Sequence, residues 1–169
     1  MELGWKAALW SQFGAAIDML ERAVRACPDD LWRGQGDAPG AWSIVHHALF
    51  WLDLYLAGSV EGFAPPPPFG LEELDPSGRL PERAYSKDEL VAYLEHGRAR
   101  CRRAIESLSD ARATQRCRFG WGEVSYGELL IYNLRHVQDH AGELSSLIGQ
   151  ALGSGPGWVA RTKTPLGGA

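Results

Sequence analysis

Residues 125–148 read SYGELLIYNLRHVQDHAGELSSLI, and this stretch predicts the last long helix of an all-α protein. It opens with Ser125 and Glu128 at the spacing of a capping box, in which a serine hydroxyl and a glutamate carboxylate satisfy free amide groups of the first turn. Apolar side chains then recur at intervals of three and four residues, which is the period of one helix face. Glycine and proline at 155–157 end the pattern.

Two histidines lie in the middle of this helix. His136 and His140 are four residues apart, so their side chains lie one turn apart on the same face. Two imidazoles at this spacing can bind one metal ion, with zinc-to-nitrogen distances of about 2.0–2.1 Å. The same stripe carries Leu144 and Leu147, so we expect it to be buried, where both ring nitrogens must be satisfied. A pair of hydrogen-bonded core histidines is the alternative interpretation.

Three more helices are predicted upstream, which together with the last one indicates a four-helix bundle. The first runs from about Leu3 to Ala26. The second runs from near Trp42 to about Gly58 with Ser43 as its N-cap, and it is apolar on nearly all sides, which indicates deep burial or contact with a partner chain. The third begins at a second capping box, Ser86 to Glu89.

The segments between these helices are expected to be irregular. Residues 61–85 contain four consecutive prolines and form a long connection, a kind of loop that tends to be functional or mobile. Residues 117–124 are a link broken by glycines, and no strand of useful length is expected. Several arginines of the third helix are predicted to form a solvated face: Arg98, Arg100, Arg102 and Arg103.

The second helix offers a third histidine for a metal site. His46 and His47 differ by about 100° of helix rotation, so at most one of them can point at an ion shared with the last helix. His47 shares its face with Phe50, Trp51 and Leu54, so we take it as the inward one. His46 is then expected to be more exposed, either solvated or in contact with a ligand side chain.

Composition excludes several classes of protein. Hydrophobic residues make up 45% and charged residues 22% of the 169 residues, as in an ordinary globular domain, and the net charge of −4 indicates no nucleic-acid partner. No apolar run is long enough for a membrane span, and no secretion signal is evident, so we expect a cytoplasmic protein. The three cysteines show no CxxC spacing and are expected to be reduced. We assign 1–161 to one domain and 162–169 to a flexible tail.

Two segments carry a resemblance to a known family. HALFWLDLYL at 47–56, preceded by Trp-Ser-Ile at 42–44, and LLIYNLRHVQDHAGEL at 129–144 resemble the DinB-like superfamily, including its YfiT-type metal-dependent hydrolases. The pattern Arg-His-x-x-x-His-x-Gly-x-Leu at 135–144 is fairly specific when a histidine-bearing helix with a Trp-Ser start precedes it. The resemblance covers most of the chain.

The resemblance implies a fold and a set of site residues. It implies a four-helix bundle with two longer connections, often a homodimer, with a nickel or zinc ion held by His47, His136 and His140. Glu143 stands where relatives often have glutamine. Beside the resemblance, the residues themselves offer His46, Asp139 and Glu143 to support the ligands or act as a general base, with a surface charge as the alternative for Glu143. The aromatic residues Phe50, Trp51 and Tyr132 either line a substrate pocket or pack in the core.

Three functional hypotheses remain open at this point. Relatives with known activity imply a transferase that activates a low-molecular-weight thiol at the metal and acts on a small molecule. Metal-assisted hydrolysis is the second hypothesis, with Asp139 or Glu143 as the base for an attacking water. The third is a non-catalytic, metal-stabilised bundle induced by stress or DNA damage, since such a protein would carry the same histidines.

Overall fold

The computed structural model describes residues 3–34 and 39–167, and most of these lie in helices, which confirms the predicted all-α fold. The four long helices are α1 (Leu3–Ala26), α3 (Ala41–Ala57), α4 (Lys87–Glu106) and α6 (Tyr126–Leu152). The short elements between them are helix α2 (Asp29–Arg33), helix α5 (Asp110–Thr114) and strands β1 (Arg116–Phe119) and β2 (Gly122–Ser125).

The long helices pack as a ring around one apolar core. Both α1 and α3 pack against α4 and α6, so the order around the bundle is α1, α6, α3, α4. Each helix contributes fully buried apolar side chains, among them Phe13 and Ile17 of α1 and Leu49 of α3. Removing these side chains from water is the main driving force for folding. The contact between α3 and α6 also brings together the two histidine-bearing helices.

Serine side chains cap the starts of α4, α5 and α6, whereas α2 and α3 begin without a side-chain cap. The capping box at Ser86 is confirmed, since its hydroxyl accepts from the Glu89 amide and the Glu89 carboxylate accepts from the Ser86 amide. Of the capping box predicted at Ser125, the structure shows the serine half, in which the Ser125 hydroxyl accepts from the Glu128 amide. The predicted N-cap of α3 at Ser43 is wrong. That helix begins at Ala41 with Gly40 as its N-cap, and Gly40 packs against the end of α2, where a Cβ would clash with the Trp32 carbonyl oxygen.

Residues 116–125 form a small antiparallel hairpin where an irregular link was expected. Cys117 pairs with Val124, and Phe119 pairs with Gly122 at the turn. Cys117 and Phe119 are buried, while the arginines that alternate with them are exposed. Each strand has only four residues, so the alternating pattern was too short to separate from a link.

The expected solvated arginine face of α4 is wrong at two positions. Arg98 is only 16% exposed and contacts Asp18 and Glu21 of α1. Arg100 contacts Asp53 of α3, a fully buried carboxylate. These arginines point inward because acidic partners on neighbouring helices face them, and such partners can be seen only once the helices are packed.

The chain after α6 returns along α1. The Thr162 amide donates to the Ser11 carbonyl at 3.0 Å, and the Trp10 indole donates to the Thr164 carbonyl at 2.7 Å. The predicted tail, 162–169, is described as far as residue 167, and residues 168 and 169 lie outside the described part. The division into a domain and a flexible tail stays a prediction. None of the described helices is long and apolar enough to cross a membrane.

Two glycines inside long helices provide a test of this packing. A Cβ on Gly97 would lie 2.8 Å from a methyl group of buried Leu52. A Cβ on Gly142 would have no described atom within 4 Å apart from its two chain neighbours and the backbone of its own helix. Gly142→Ala should raise the free energy of unfolding by about 0.5–1 kcal/mol, because alanine loses less backbone entropy in a helix.

Gly97→Ala gains the same helix propensity as Gly142→Ala. It also places an extra methyl group in the close contact between α3 and α4, which costs about 1–3 kcal/mol. Its free energy of unfolding should therefore be equal to or below that of the wild type. Urea denaturation of both variants, monitored by circular dichroism with a chelator present, makes the comparison. Equal stabilisation by the two substitutions would contradict the close packing at Gly97.

Candidate metal centre

Three imidazoles converge where α3 packs against α6. One ring nitrogen from each of His47, His136 and His140 lies within 4.8 Å of the other two, so the three could hold a metal ion. The Nε2 atoms of His136 and His47 are 3.4 Å apart. The two helices are tied together one turn before His136, where the Asn133 side chain donates to the Leu52 carbonyl at 3.0 Å.

The spacing and chemistry of these nitrogens fit a divalent cation. Two nitrogens that each lie about 2.0–2.1 Å from one tetrahedral zinc ion are about 3.3–3.4 Å apart. The distance between His47 and His136 falls at this value. Imidazole nitrogen is a favourable ligand for zinc and nickel, so the donor set is also chemically suitable.

Two carboxylates contact the cluster from outside. Glu73 Oε2 lies 2.7 Å from His47 Nδ1, and Glu143 Oε2 lies 2.9 Å from His140 Nδ1. Both contacts use the Nδ1 side of the ring, so Nε2 of each ring remains for an ion. Metal-binding histidines commonly have a carboxylate in this position. The structure thus places Glu143 against a candidate ligand, while its function stays a prediction.

His136 is held in the neutral form. Burial, followed by the neighbouring charges of His140 and His47, lowers its pKa to about 3. A neutral imidazole keeps a lone pair for a metal at neutral pH. Its Nδ1 atom is buried and has no hydrogen-bond partner among the described residues. Unlike the other two rings, His136 therefore has no carboxylate partner.

His46 is not exposed, contrary to the expectation. Its side chain is only 1% exposed, and its ring lies 5.9 Å from that of Phe69 and 5.0 Å from that of Tyr85. Its Nδ1 atom lies 3.5 Å from Glu73 Oε1. The physical reason is that the connection between α3 and α4 folds over this side of α3 and encloses His46, while the His47 side chain stays 39% exposed.

Glu73 contacts the histidine cluster, although no sequence motif marked it as a site residue. It lies in a single 3₁₀ turn, Glu72–Leu74, inside the long connection. Burial opposes its ionisation, but hydrogen bonds from His46 and His47 outweigh burial and lower its pKa to about 2. It also accepts a hydrogen bond from the Trp51 indole at 3.2 Å. The one available hint was the unusual length of the connection.

A surface groove of about 750 Å³ runs beside His136 along α6. Tyr132 lines it, as do Arg135 and Asp139. The Trp121 ring, at the tip of the hairpin, stacks on Tyr132 at 4.5 Å. Of the three aromatic residues predicted for a pocket, the structure brings Tyr132 to this groove. Trp51 contacts Glu73 instead, and Phe50 is fully buried between Trp51 and Phe63.

Comparison with known protein families agrees with the pattern on α6. The family described as the DinB superfamily matches residues 12–144, which is more than three quarters of the chain. The match begins in α1 and ends in α6, and it includes all three converging histidines. No curated protein matches the sequence.

The low pKa of His136 predicts an acid-sensitive fold in the metal-free protein. The pKa is about 3 in the folded state and about 6.5 in the unfolded chain, so the unfolded chain takes up this proton first. Stability is therefore complete above about pH 6.5 and is lost as the pH falls toward about 3. At about pH 5.5 the loss from this residue should be about 1 kcal/mol.

Urea denaturation in the presence of EDTA, at about pH 7.5 and about pH 5.5, measures this effect. His136→Gln lacks the titrating group, so its free energy of unfolding should change less between the two conditions. An identical change in wild type and variant would show that His136 is not buried as a neutral imidazole.

Proposed function

The chain belongs to the DinB superfamily, and we propose that it binds one divalent metal ion, nickel or zinc, through His47, His136 and His140 and acts there as an enzyme. The observation that carries this proposal is the convergence of three imidazole nitrogens within 4.8 Å of one another. A carboxylate contacts Nδ1 of His47 and another contacts Nδ1 of His140, as is common for metal-binding histidines.

Two observations support catalysis: the site has only three protein ligands, and a groove runs beside His136. Three protein ligands leave at least one position for water or substrate, which is typical of catalytic and not of structural sites. A bound ion would act as a Lewis acid and lower the pKa of a water or thiol beside it. The groove lined by His136 is large enough for a small molecule to approach from the α6 side.

Other residues of the chain would position a small substrate. Tyr132 and Trp121 present stacked rings at one part of the site, where an apolar group can pack. Arg135 and Asp139 supply opposite charges in the groove. Asp139 is exposed there, whereas Glu143 is engaged with His140, so Asp139 is the better placed of the two to accept a proton. A homodimer, as the resemblance implied, stays a prediction.

Metal binding can be tested on the histidines one at a time. Wild-type protein loaded with zinc or nickel and then desalted should retain one equivalent per chain by elemental analysis. Replacing His47, His136 or His140 with alanine should lower the affinity at least 100-fold in calorimetric titrations, because two imidazoles remain. His96→Ala is the matched control, since His96 lies near Asp53 and outside the cluster. Wild-type protein that stays metal-free after loading would refute the proposal.

Removal of the metal separates an enzyme from a metal-stabilised bundle. EDTA should lower the melting temperature of the loaded protein, because binding to the folded state alone adds stability. It should leave the helical circular dichroism intact, because the bundle has its own buried core. Loss of the helical signal on chelation would indicate a structural site, as in domains that fold only with their metal.

The two chemistries differ in their need for a thiol. We propose activation of a low-molecular-weight thiol as the main activity, and hydrolysis as the second candidate because Asp139 lies in the groove beside His136. A screen of electrophilic and ester substrates with the zinc or nickel protein, with and without added thiol, distinguishes them. Turnover that does not depend on thiol would favour hydrolysis, and His136→Ala should abolish either activity.

A further inference from the structure

We propose that Glu73 is the positioning residue of this site: it fixes the ring of His47 so that Nε2 presents its lone pair to the metal. The inference rests on the proposed metal binding and assigns a role to a side chain in the connection between α3 and α4. Glu73 lies 26 positions after His47 in the chain, and its carboxylate reaches the histidine from the side opposite the cluster.

The carboxylate is surrounded by nitrogen donors. His47 Nδ1 lies 2.7 Å and Trp51 Nε1 lies 3.2 Å from Glu73 Oε2, and His46 Nδ1 lies 3.5 Å from Oε1. An ionised carboxylate only accepts hydrogen bonds, so the nitrogen atoms that face it must carry protons. The short contact with Glu73 therefore fixes His47 as the Nδ1–H tautomer, whereas the contact of His46 is longer.

The tautomer of His47 decides whether it can bind a metal. A neutral imidazole carries one proton, so a proton on Nδ1 leaves Nε2 free. The Nε2 atom of His47 is the one that lies 3.4 Å from Nε2 of His136. With the opposite tautomer, an N–H group would point at the place where the ion is proposed to bind, and binding would require the proton to move.

Glu73 is better placed for this role than Glu143. The side chain of Glu73 is 15% exposed, whereas that of Glu143 is 51% exposed and contacts a single ring nitrogen. A water molecule can replace an exposed carboxylate as the partner of His140, but a substitute for Glu73 would have to enter a mostly buried position.

The connection holds Glu73 in place through aromatic packing. Phe69, four residues before it, stacks on Tyr93 of α4 with ring centres 4.4 Å apart. Phe63 packs edge-on against Phe50 of α3 at 5.4 Å. The segment that leads into the 3₁₀ turn is therefore anchored by side chains of both helices, which restricts the positions open to the Glu73 carboxylate, as a preorganised site requires.

The experiment compares two substitutions at this position. Glu73→Met removes the acceptor at similar volume, so the Nδ1–H tautomer of His47 loses its partner. Glu73→Gln keeps one oxygen that can still accept from His47 and Trp51. Long-range nitrogen–proton NMR spectra of the metal-free proteins report the tautomer. We expect the Nδ1–H form in the wild type, largely the same form in Glu73→Gln, and a shift toward Nε2–H in Glu73→Met.

Zinc affinity provides the second measurement. Calorimetric titration with zinc alone should show a loss of about 10–100-fold for Glu73→Met, a smaller loss for Glu73→Gln, and a loss of less than about 10-fold for Glu143→Gln. Glu61→Gln, an exposed residue of the same connection, is the matched control and should bind as the wild type does. Circular dichroism verifies folding. If Glu73→Met does not fold, Glu73→Leu, which also lacks an acceptor, takes its place in both measurements.

The outcomes separate this inference from the proposed function. If wild-type protein binds no zinc, the proposed metal site is wrong. If wild-type protein binds zinc but both Glu73 variants keep its affinity and the Nδ1–H tautomer, the metal site stands and the role of Glu73 is overturned. A merely structural role of Glu73 would lower the melting temperature without changing the tautomer.

Discussion

The contact between α3 and α6 is the constraint on which the rest of the site depends. His47 comes from one helix and the pair His136 and His140 comes from the other, so the three rings meet only if these helices pack in one register. The Asn133 side chain, bonded to the Leu52 carbonyl, ties the helices within one turn of His136. Because a buried amide N–H donor is costly to leave unpaired, this bond favours one alignment over a helix slipped by a turn.

Polar groups on α3 show how the fold accommodates burial of charge. His46 and His47 face the connection and share the carboxylate of Glu73. Asp53, two turns later, is fully buried and is matched by Arg100 and by the Tyr93 hydroxyl of α4. Each buried charge has a partner from a different element, as burial requires. These few polar contacts fix the orientation of α3, a helix that is apolar on nearly all sides.

The long connection is part of the site and more than a spacer. Its prolines and glycines prevent regular structure, yet two phenylalanines anchor it on the neighbouring helices and a 3₁₀ turn delivers Glu73 to His47. The cost of ordering so many residues is offset by burying aromatic surface and by three nitrogen-to-carboxylate contacts. His46 was expected to be exposed, but it is buried because the same connection covers that side of α3.

The four long helices and the serine caps at Ser86 and Ser125 could be predicted from the sequence, because periodicity and capping are local properties of the chain. The histidines were found as candidates through their helix faces and the family resemblance, while their convergence depends on how α3 and α6 pack. The sequence did not identify Glu73, and the expectations of a solvated arginine face on α4 and of an irregular link at 117–124 were wrong. Those features depend on contacts between residues far apart in the chain, such as Glu73 with His47 or Arg100 with Asp53. The sequence shows the type of each side chain but not its neighbours, which depend on how the helices and the connection pack.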